Sequence, residues 1–222
     1  NQLCKFFGMD YKTASLTEPL AVALTAVMQA DIPFGGSVAV LGNGPLGLMA
    51  AQTAKLRGAG FVAVTGAGAA SAIGKARLEI APEFGCDLMI DMSQSDLVGT
   101  LKKCFPHGVE RVIVTAPPQS IHDALAIIGY GGLIVFLGLH FGGRNKVELD
   151  VNDLIFRKIT LRPVLAEPAM HFPRAAELLR TGQIDSGKLV THTFGFAEAR
   201  GVFRGIIEKN LPVIKAVMQP HG

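Results

Sequence analysis

The sequence predicts an α/β fold built around a doubly wound parallel sheet. Segments typical of strands and of helices alternate without interruption between residues 37 and 137. The predicted strands are continuous apolar runs rich in Val and Ile, as in parallel sheets that helices cover on both faces. Strict strand–helix alternation then produces the doubly wound arrangement. Hydrophobic residues make up 49% of the 222 residues and charged residues 18%, which excludes a disordered or fibrous chain.

The elements are predicted in the following order. Residues 1–17 are irregular, and Thr17 caps a helix that runs to about Ala30, because Glu18 and Pro19 suit a first helical turn. After a loop at 31–36, strands at 37–41, 61–65, 88–91, 109–115 and 133–137 alternate with helices at 45–57, 75–84, 95–104 and 119–128. A helix at 151–157 and a strand at 159–166 follow, then helices at 172–180 and 197–207 with further segments at 189–194 and 212–217.

Charge, hydropathy and cysteine content limit the partners and the location. With 21 basic and 18 acidic residues the net charge is only +3, and the charges are scattered, so we expect no nucleic acid and no acidic membrane surface as partner. Mean hydropathy is +0.37, yet no apolar run reaches the ~18 residues of a membrane helix. Three cysteines are too few for a disulfide scaffold, which favours a reducing, cytoplasmic location.

A glycine motif carries the strongest functional signal. It reads Gly42-Asn-Gly-Pro-Leu-Gly47, directly after a predicted strand and at the start of a predicted helix. In a dinucleotide site Gly42 permits the tight turn, Gly44 lets the backbone approach a pyrophosphate, and Gly47 lets helix and strand pack closely. Pro45 and Leu46, which lie between Gly44 and Gly47, are also predicted to contact the dinucleotide. A turn without ligand, or a site for a methyl-donor nucleoside, remains an alternative.

The end of the second predicted strand bears on the choice of coenzyme. An NAD site places Asp or Glu there to bind the adenosine ribose, whereas this strand ends in Thr65 and Gly66. Without that acid a 2′-phosphate meets neither repulsion nor a bulky side chain, so we expect NADP, with NAD as the alternative. Ser71, Lys75 and Arg77 are the predicted phosphate ligands. The alternative for the two basic residues is that they are merely solvated.

The chain resembles the coenzyme-binding part of medium-chain, zinc-containing alcohol dehydrogenases, and within them the polyol, threonine and glucose dehydrogenase branch. The matching pieces cover nearly the whole chain and are Glu18-Pro-Leu20, Val38–Gly47, Phe84-Gly-Cys-Asp87, Gly131–Gly138 and Leu189-Val-Thr-His-Thr193. The resemblance implies a Rossmann fold and a nicotinamide end of the coenzyme that passes the peptide at Leu137, Gly138 and Leu139. It also matches Thr115 to the threonine that follows the fourth strand.

Three departures from the family qualify this resemblance. The GroES-like N-terminal domain, which carries the Cys, His and Glu ligands of the catalytic zinc, has no counterpart, and Cys4, Cys86 and Cys104 lack metal-ligand spacing. The acid after the second strand is Gly66, and the loop to Arg77 is longer than usual. The family implies that Glu18 lies at the catalytic zinc of an intact enzyme, and no catalytic residue is predicted within this chain.

The predicted organisation is a connecting segment at 1–17, a dinucleotide-binding domain at 18–165 and a C-terminal part of the catalytic domain at 166–222. The resemblance implies a chain truncated before its catalytic domain. The intact enzyme would transfer a hydride between a nicotinamide and a secondary alcohol or sugar hydroxyl, with zinc polarising the alcohol oxygen. A non-catalytic NADP(H)-binding or sensing module is the rival, and a zinc-free quinone reductase is a third alternative. An apolar sheet edge near 159–164 predicts a homo-oligomer.

Overall fold

A parallel sheet of six strands organises the molecule. The computed structural model describes residues 5–66, 68, 71–143, 145–165, 168–208 and 210–220. The strands are β1 (Ser37–Leu41), β2 (Phe61–Gly66), β3 (Leu88–Asp91), β4 (Val109–Val114), β5 (Ile128–Phe136) and β6 (Thr160–Pro163). Their spatial order is β3-β2-β1-β4-β5-β6, and every neighbouring pair is parallel. This is the doubly wound order with its reversal between β1 and β4, so the predicted fold class is confirmed.

Helices connect these strands, and a second, smaller sheet follows them. The helices are α1 (Tyr11–Ala14), α2 (Thr17–Gln29), α3 (Pro45–Leu56), α4 (Ala72–Ile80), α5 (Leu97–Cys104), α6 (Ser120–Ile127), α7 (Val151–Phe156), α8 (Pro168–Arg180), α9 (Ser186–Leu189) and α10 (Ala199–Ile207). Short 3₁₀ segments lie at Ala81–Phe84 and Phe196–Glu198. β7 (Val190–Phe194) and β8 (Lys215–Met218) pair in parallel. Among the described residues, no helix combines the length and apolarity needed to cross a bilayer.

The two faces of the large sheet bury two separate apolar clusters. Successive residues of β1 point to opposite faces, so Val38 and Val40 join one cluster while Ala39 and Leu41 join the other. Side chains of α2, α3 and α8 complete the first cluster, and side chains of α5 and α6 complete the second. All five β1 residues are therefore buried, which explains why the strand reads as a continuous apolar run.

Several helix starts differ from the predictions, among them that of α5, which begins at Leu97 and not at 95, and that of α8, which begins at Pro168 and not at 172. Thr17 is the first residue of α2 and not its cap: Leu16 holds the cap position, without a side-chain hydrogen bond. The segment predicted to be irregular contains α1, where the Asp10 carboxylate accepts a hydrogen bond from the Thr13 amide at 2.7 Å. α4 begins at Ala72 and not at 75, because the Ser71 hydroxyl accepts a hydrogen bond from the Gly74 amide at 3.0 Å and caps the helix earlier.

Other boundaries shift by a few residues. β5 begins at Ile128 and not at 133, and β8 occupies Lys215–Met218 and not 212–217. β6 ends at Pro163, and Ala166, its predicted end, lies outside the described residues. α8, from the C-terminal third, packs against α2 of the first part, whereas β7 and β8 form a sheet of their own. The division at residues 17 and 165 stays a prediction.

Candidate functional site

The glycine loop joins β1 to α3 at the point where the strand order reverses. Gly42 adopts φ +116°, a left-handed conformation that favours glycine, and its amide donates to the Thr65 carbonyl at 3.1 Å. Gly47 lies on the first turn of α3, where a Cβ atom would stand 1.8 Å from the Gly42 carbonyl oxygen. Both glycines are therefore required by the backbone geometry, as the motif predicts.

Gly44 has a different environment, which suits a ligand. It caps α3 with φ −67°, followed by Pro45 as the first helical residue, and a Cβ atom there would meet no atom within 4 Å. The loop backbone is therefore open to approach from the crevice. The first amides of a helix have no partner within the helix, and the helix dipole makes this end positive, so the arrangement fits the pyrophosphate of a dinucleotide. Leu46, half-buried, packs against the first apolar cluster.

The opposite side of the crevice comes from the ends of β4 and β5. The Thr115 hydroxyl donates to the Leu41 carbonyl at 3.1 Å, and a Cβ atom on Gly42 would lie 2.6 Å from that hydroxyl oxygen. A Cβ atom on Gly138 would lie 2.0 Å from the Ala116 carbonyl oxygen, so this peptide runs close alongside the chain that follows Thr115. Leu137 is half-buried, and Leu139 is exposed beyond it. The structure thus places Thr115 against the glycine loop and Gly138 beside the residue that follows Thr115, and the contact of these four residues with a coenzyme stays a prediction.

The end of β2 carries Thr65 and Gly66, both predicted to contact the coenzyme, and lies against Asn43, a residue that the sequence analysis did not identify. Thr65 is buried, and its hydroxyl accepts a hydrogen bond from the Gly42 amide at 3.3 Å, so it supports the loop. A Cβ atom on Gly66 would lie 2.1 Å from Asn43 Nδ2 and 2.4 Å from Asn43 Cγ. The Asn43 side chain therefore occupies the space that the side chain of an acid at position 66 would need.

Asp91, at the end of β3, is a second residue that the sequence analysis did not identify. It pairs in register with Gly66, so the two positions face the same side of the sheet. Its Oδ1 accepts hydrogen bonds from the Ser93 hydroxyl at 2.6 Å and from the Ser93 amide at 2.9 Å. These hydrogen bonds, the hydroxyl first, lower the pKa of Asp91, so its carboxylate is charged at neutral pH. Oδ2 is buried without a partner among the described residues.

The three predicted phosphate ligands lie at the start of α4 or on it, and their side chains differ in exposure and in hydrogen-bond partners. The Ser71 hydroxyl is engaged in the helix cap, where it also donates to the Gly68 carbonyl at 2.9 Å. Lys75 is exposed, with Glu79 at 3.8 Å as an ion-pair partner, and such exposed pairs add little stability. Arg77 is half-buried, its Nε has no partner among the described residues, and desolvation lowers its pKa. Their role as ligands stays a prediction.

Glu18 lies on the first turn of α2 and is exposed. Its carboxylate makes no hydrogen bond or ion pair to the residues that the structure describes. Across those residues, no group of three or more His, Cys, Asp or Glu side chains is arranged to hold a metal ion. Because a zinc site needs three or four protein ligands, the described residues do not fit a zinc ion by themselves. The placement of Glu18 at zinc in an intact enzyme stays a prediction.

Comparison with known proteins identifies the chain's relatives. It is 27% identical over 216 residues to sorbitol dehydrogenase of Bacillus subtilis (strain 168), covering 96% of this chain and 59% of the relative. It is 30% identical over 232 residues to L-arabinitol 4-dehydrogenase of Aureobasidium melanogenum, covering 97% of this chain and 58% of the relative. The chain thus spans about three-fifths of the length of these relatives.

A solved structure from Sinorhizobium meliloti 1021, described as a zinc-binding dehydrogenase bound to NADP, superposes with a TM-score of 0.82 at 28% identity. The superposition covers 94% of this chain and 59% of that one. The family profile described as "Zinc-binding dehydrogenase" matches residues 45–181, more than half of the sequence. The resemblance predicted from the motifs is therefore confirmed: this chain belongs to the zinc-binding dehydrogenase family.

Proposed function

We propose that this chain binds a nicotinamide dinucleotide in the crevice between β1 and β4 and serves an alcohol or polyol dehydrogenase. When bound, the coenzyme supplies the hydride acceptor or donor. The substrate is a secondary alcohol or a sugar hydroxyl, as the names of its relatives indicate for those proteins. The residues of this chain position the coenzyme.

The open backbone at Gly44 is the observation that carries the proposal. Gly42 and Gly47 explain how the loop folds, but a fold needs no glycine at position 44, where φ is −67° and a Cβ atom would meet nothing. Because Gly44 caps a helix at the point where the strand order reverses, the space beside it is open to a ligand. A pyrophosphate on the helix start is the ligand that this loop geometry fits.

The test is a pair of fluorescence titrations of the 222-residue chain, one with NADH and one with NADPH. We expect binding of at least one of the two. Gly44→Ala should weaken that binding at least tenfold while the melting temperature changes little, because the new methyl group obstructs only the ligand. Gly201→Ala is the matched control, since a Cβ atom there also meets nothing within 4 Å, on a helix far along the chain from the loop. Equal affinities for wild type and Gly44→Ala would contradict the proposal.

The second candidate is a module that binds NADP(H) without catalysis. It is favoured by the described residues, which bring together no metal-binding group. Turnover of a polyol with either coenzyme separates the two candidates, and it should be measured on the protein that the complete coding sequence encodes. Coenzyme binding with no turnover of any alcohol tested would favour the module.

Three finer assignments complete the proposal. The absence of an acid at Gly66, with Arg77 half-buried on the following helix, supports NADP over NAD. Self-association is supported by the position of β6 at an edge of the sheet, where its outer backbone groups have no strand partner in the part of the chain that the structure describes. A single sedimenting species with the mass of one chain at high concentration would contradict it. A cytoplasmic location rests on the cysteine content alone.

A further inference from the structure

Asn43 has the features of a residue that binds a ligand through its side chain. Its side chain is 7% exposed, and its Nδ2 is buried without a hydrogen-bond partner among the described residues. A buried amide donor is ordinarily paired, so an orphaned one in a crevice is either a defect or a group that a ligand satisfies. Asn43 stands between the two glycines that open the pyrophosphate site, which favours the second explanation.

The position of the amide identifies the part of the coenzyme that it meets. Distances of 2.1 Å from Nδ2 and 2.4 Å from Cγ to a Cβ atom on Gly66 place the amide over the end of β2. In dinucleotide sites a side chain at that end meets the 2′ position of the adenosine ribose. Asn43 therefore reaches from the first loop into the space that an acid on the second strand would otherwise fill.

We propose that Asn43 reads the ribose 2′ position, with its Nδ2 donating to a 2′-phosphate, and that the Asn43–Gly66 pair sets a preference for NADP(H). This inference rests on the proposed coenzyme site. An amide is uncharged, so it donates a hydrogen bond without repelling the phosphate. Arg77 and the positive start of α4, six residues after Gly66, add favourable charge on the same connection.

Asp91 makes the site sensitive to charge. It lies one strand further out, on the same side of the sheet as position 66, and it carries a full negative charge at neutral pH. An uncharged residue at position 43 leaves Asp91 as the one carboxylate among residues 43, 66, 77 and 91. Replacing the amide by a carboxylate would place a second negative charge beside the ribose. Because this site is partly buried, solvent and salt would screen that charge only weakly.

The experiment compares Asn43→Asp with Asn152→Asp, which makes the same charge change on an exposed residue of α7. Each chain is titrated with NADPH and NADH, and with adenosine 2′,5′-bisphosphate against AMP, which isolates the contribution of the 2′-phosphate. We expect wild type to prefer the 2′-phosphorylated member of each pair. Asn43→Asp should lower that preference at least tenfold, and Asn152→Asp should leave it within twofold of wild type.

Thermal melting of a double variant tests whether the Asn43 side chain and a side chain at position 66 compete for the same space. Gly66→Asp alone forces a clash with Asn43 and should lower the melting temperature. Adding Asn43→Ala removes the clash, so the double variant should melt at a higher temperature than Gly66→Asp and bind NADH more tightly than NADPH. A double variant no more stable than the single one would contradict the placement of the amide.

The outcomes separate the two proposals. A folded wild-type chain that binds neither coenzyme overturns the proposed function, and with it this inference. A wild type that binds coenzyme but prefers NADH, or an Asn43→Asp variant whose preference matches that of Asn152→Asp, overturns the role of Asn43 and leaves the proposed function standing.

Discussion

Substituting Gly47 by alanine tests the packing on which the coenzyme crevice depends. The new Cβ atom would stand 1.8 Å from the Gly42 carbonyl oxygen and 3.1 Å from the Thr115 hydroxyl oxygen. Because side-chain Cβ atoms do not come closer than 3.0 Å to such atoms, helix and loop must separate by at least 1.2 Å, the difference between 3.0 and 1.8 Å. The obstacle is backbone, so no side-chain rotation relieves it.

The loss of stability in Gly47→Ala depends on the side chains that α3 buries against the sheet. Leu48, Met49, Ala50 and Ala51 are fully buried on this helix, so any displacement disturbs its packing against the sheet. Overpacking of this kind costs about 1–3 kcal/mol. Alanine is the better helix former by ~1 kcal/mol, which offsets part of the loss.

Gly201→Ala isolates that helix-forming gain, since its Cβ atom meets no other atom within 4 Å. Both variants share this gain, so in urea denaturation we expect Gly47→Ala to be less stable than Gly201→Ala by the overpacking cost alone, about 1–3 kcal/mol. For a chain of this size the difference corresponds to roughly 2–12 °C in melting temperature. Two variants that unfold within about 0.5 kcal/mol of each other would refute the close approach of α3 to the loop.

The remaining predictions concern stability away from the crevice. Ser37→Ala removes a buried hydroxyl that accepts from the Glu110 amide at 3.0 Å and donates to its carboxylate at 3.2 Å, so the urea midpoint should fall by an amount equivalent to about 1 kcal/mol. Arg111→Met removes the hydrogen bonds from Nε to the two carbonyls that follow α2, of Ala30 at 2.8 Å and Asp31 at 3.0 Å, and calorimetry should show a loss of about 1–2 kcal/mol. Burial raises the pKa of Cys86 to about 12, so its thiol stays neutral in the fold while the unfolded thiol ionises near pH 8.5. The stabilising contribution is complete below that pH and is lost as the pH rises towards 12, so by pH 10 the wild type should lose about 2 kcal/mol more than Cys86→Ala. A pH profile identical in the two chains would contradict the burial of the thiol.

Local patterns predicted the fold class because they are properties of consecutive residues. A strand buried on both faces must be apolar throughout, as in β1, and a helix that starts on a phosphate-binding turn needs glycines at fixed spacing, as at Gly42 and Gly47. Boundaries were less accurate where a side-chain cap decides them. The pattern of helix-forming residues predicted a start at Lys75. α4 begins at Ala72 instead, because the Ser71 hydroxyl accepts a hydrogen bond from the Gly74 amide and caps the helix there.

The sequence by itself determined the alternation of strands and helices, the place of the coenzyme loop within it, and the missing acid at Gly66. Only the tertiary structure decided what fills the space left by that acid. Asn43 and Gly66 are 23 residues apart along the chain, and they meet because β1 and β2 lie side by side in parallel. The charge of Asp91 is brought beside them in the same way, through the register of β2 with β3. Such neighbours depend on strand order and register, which arise from the packing of the whole sheet and leave no periodic trace in the residues themselves.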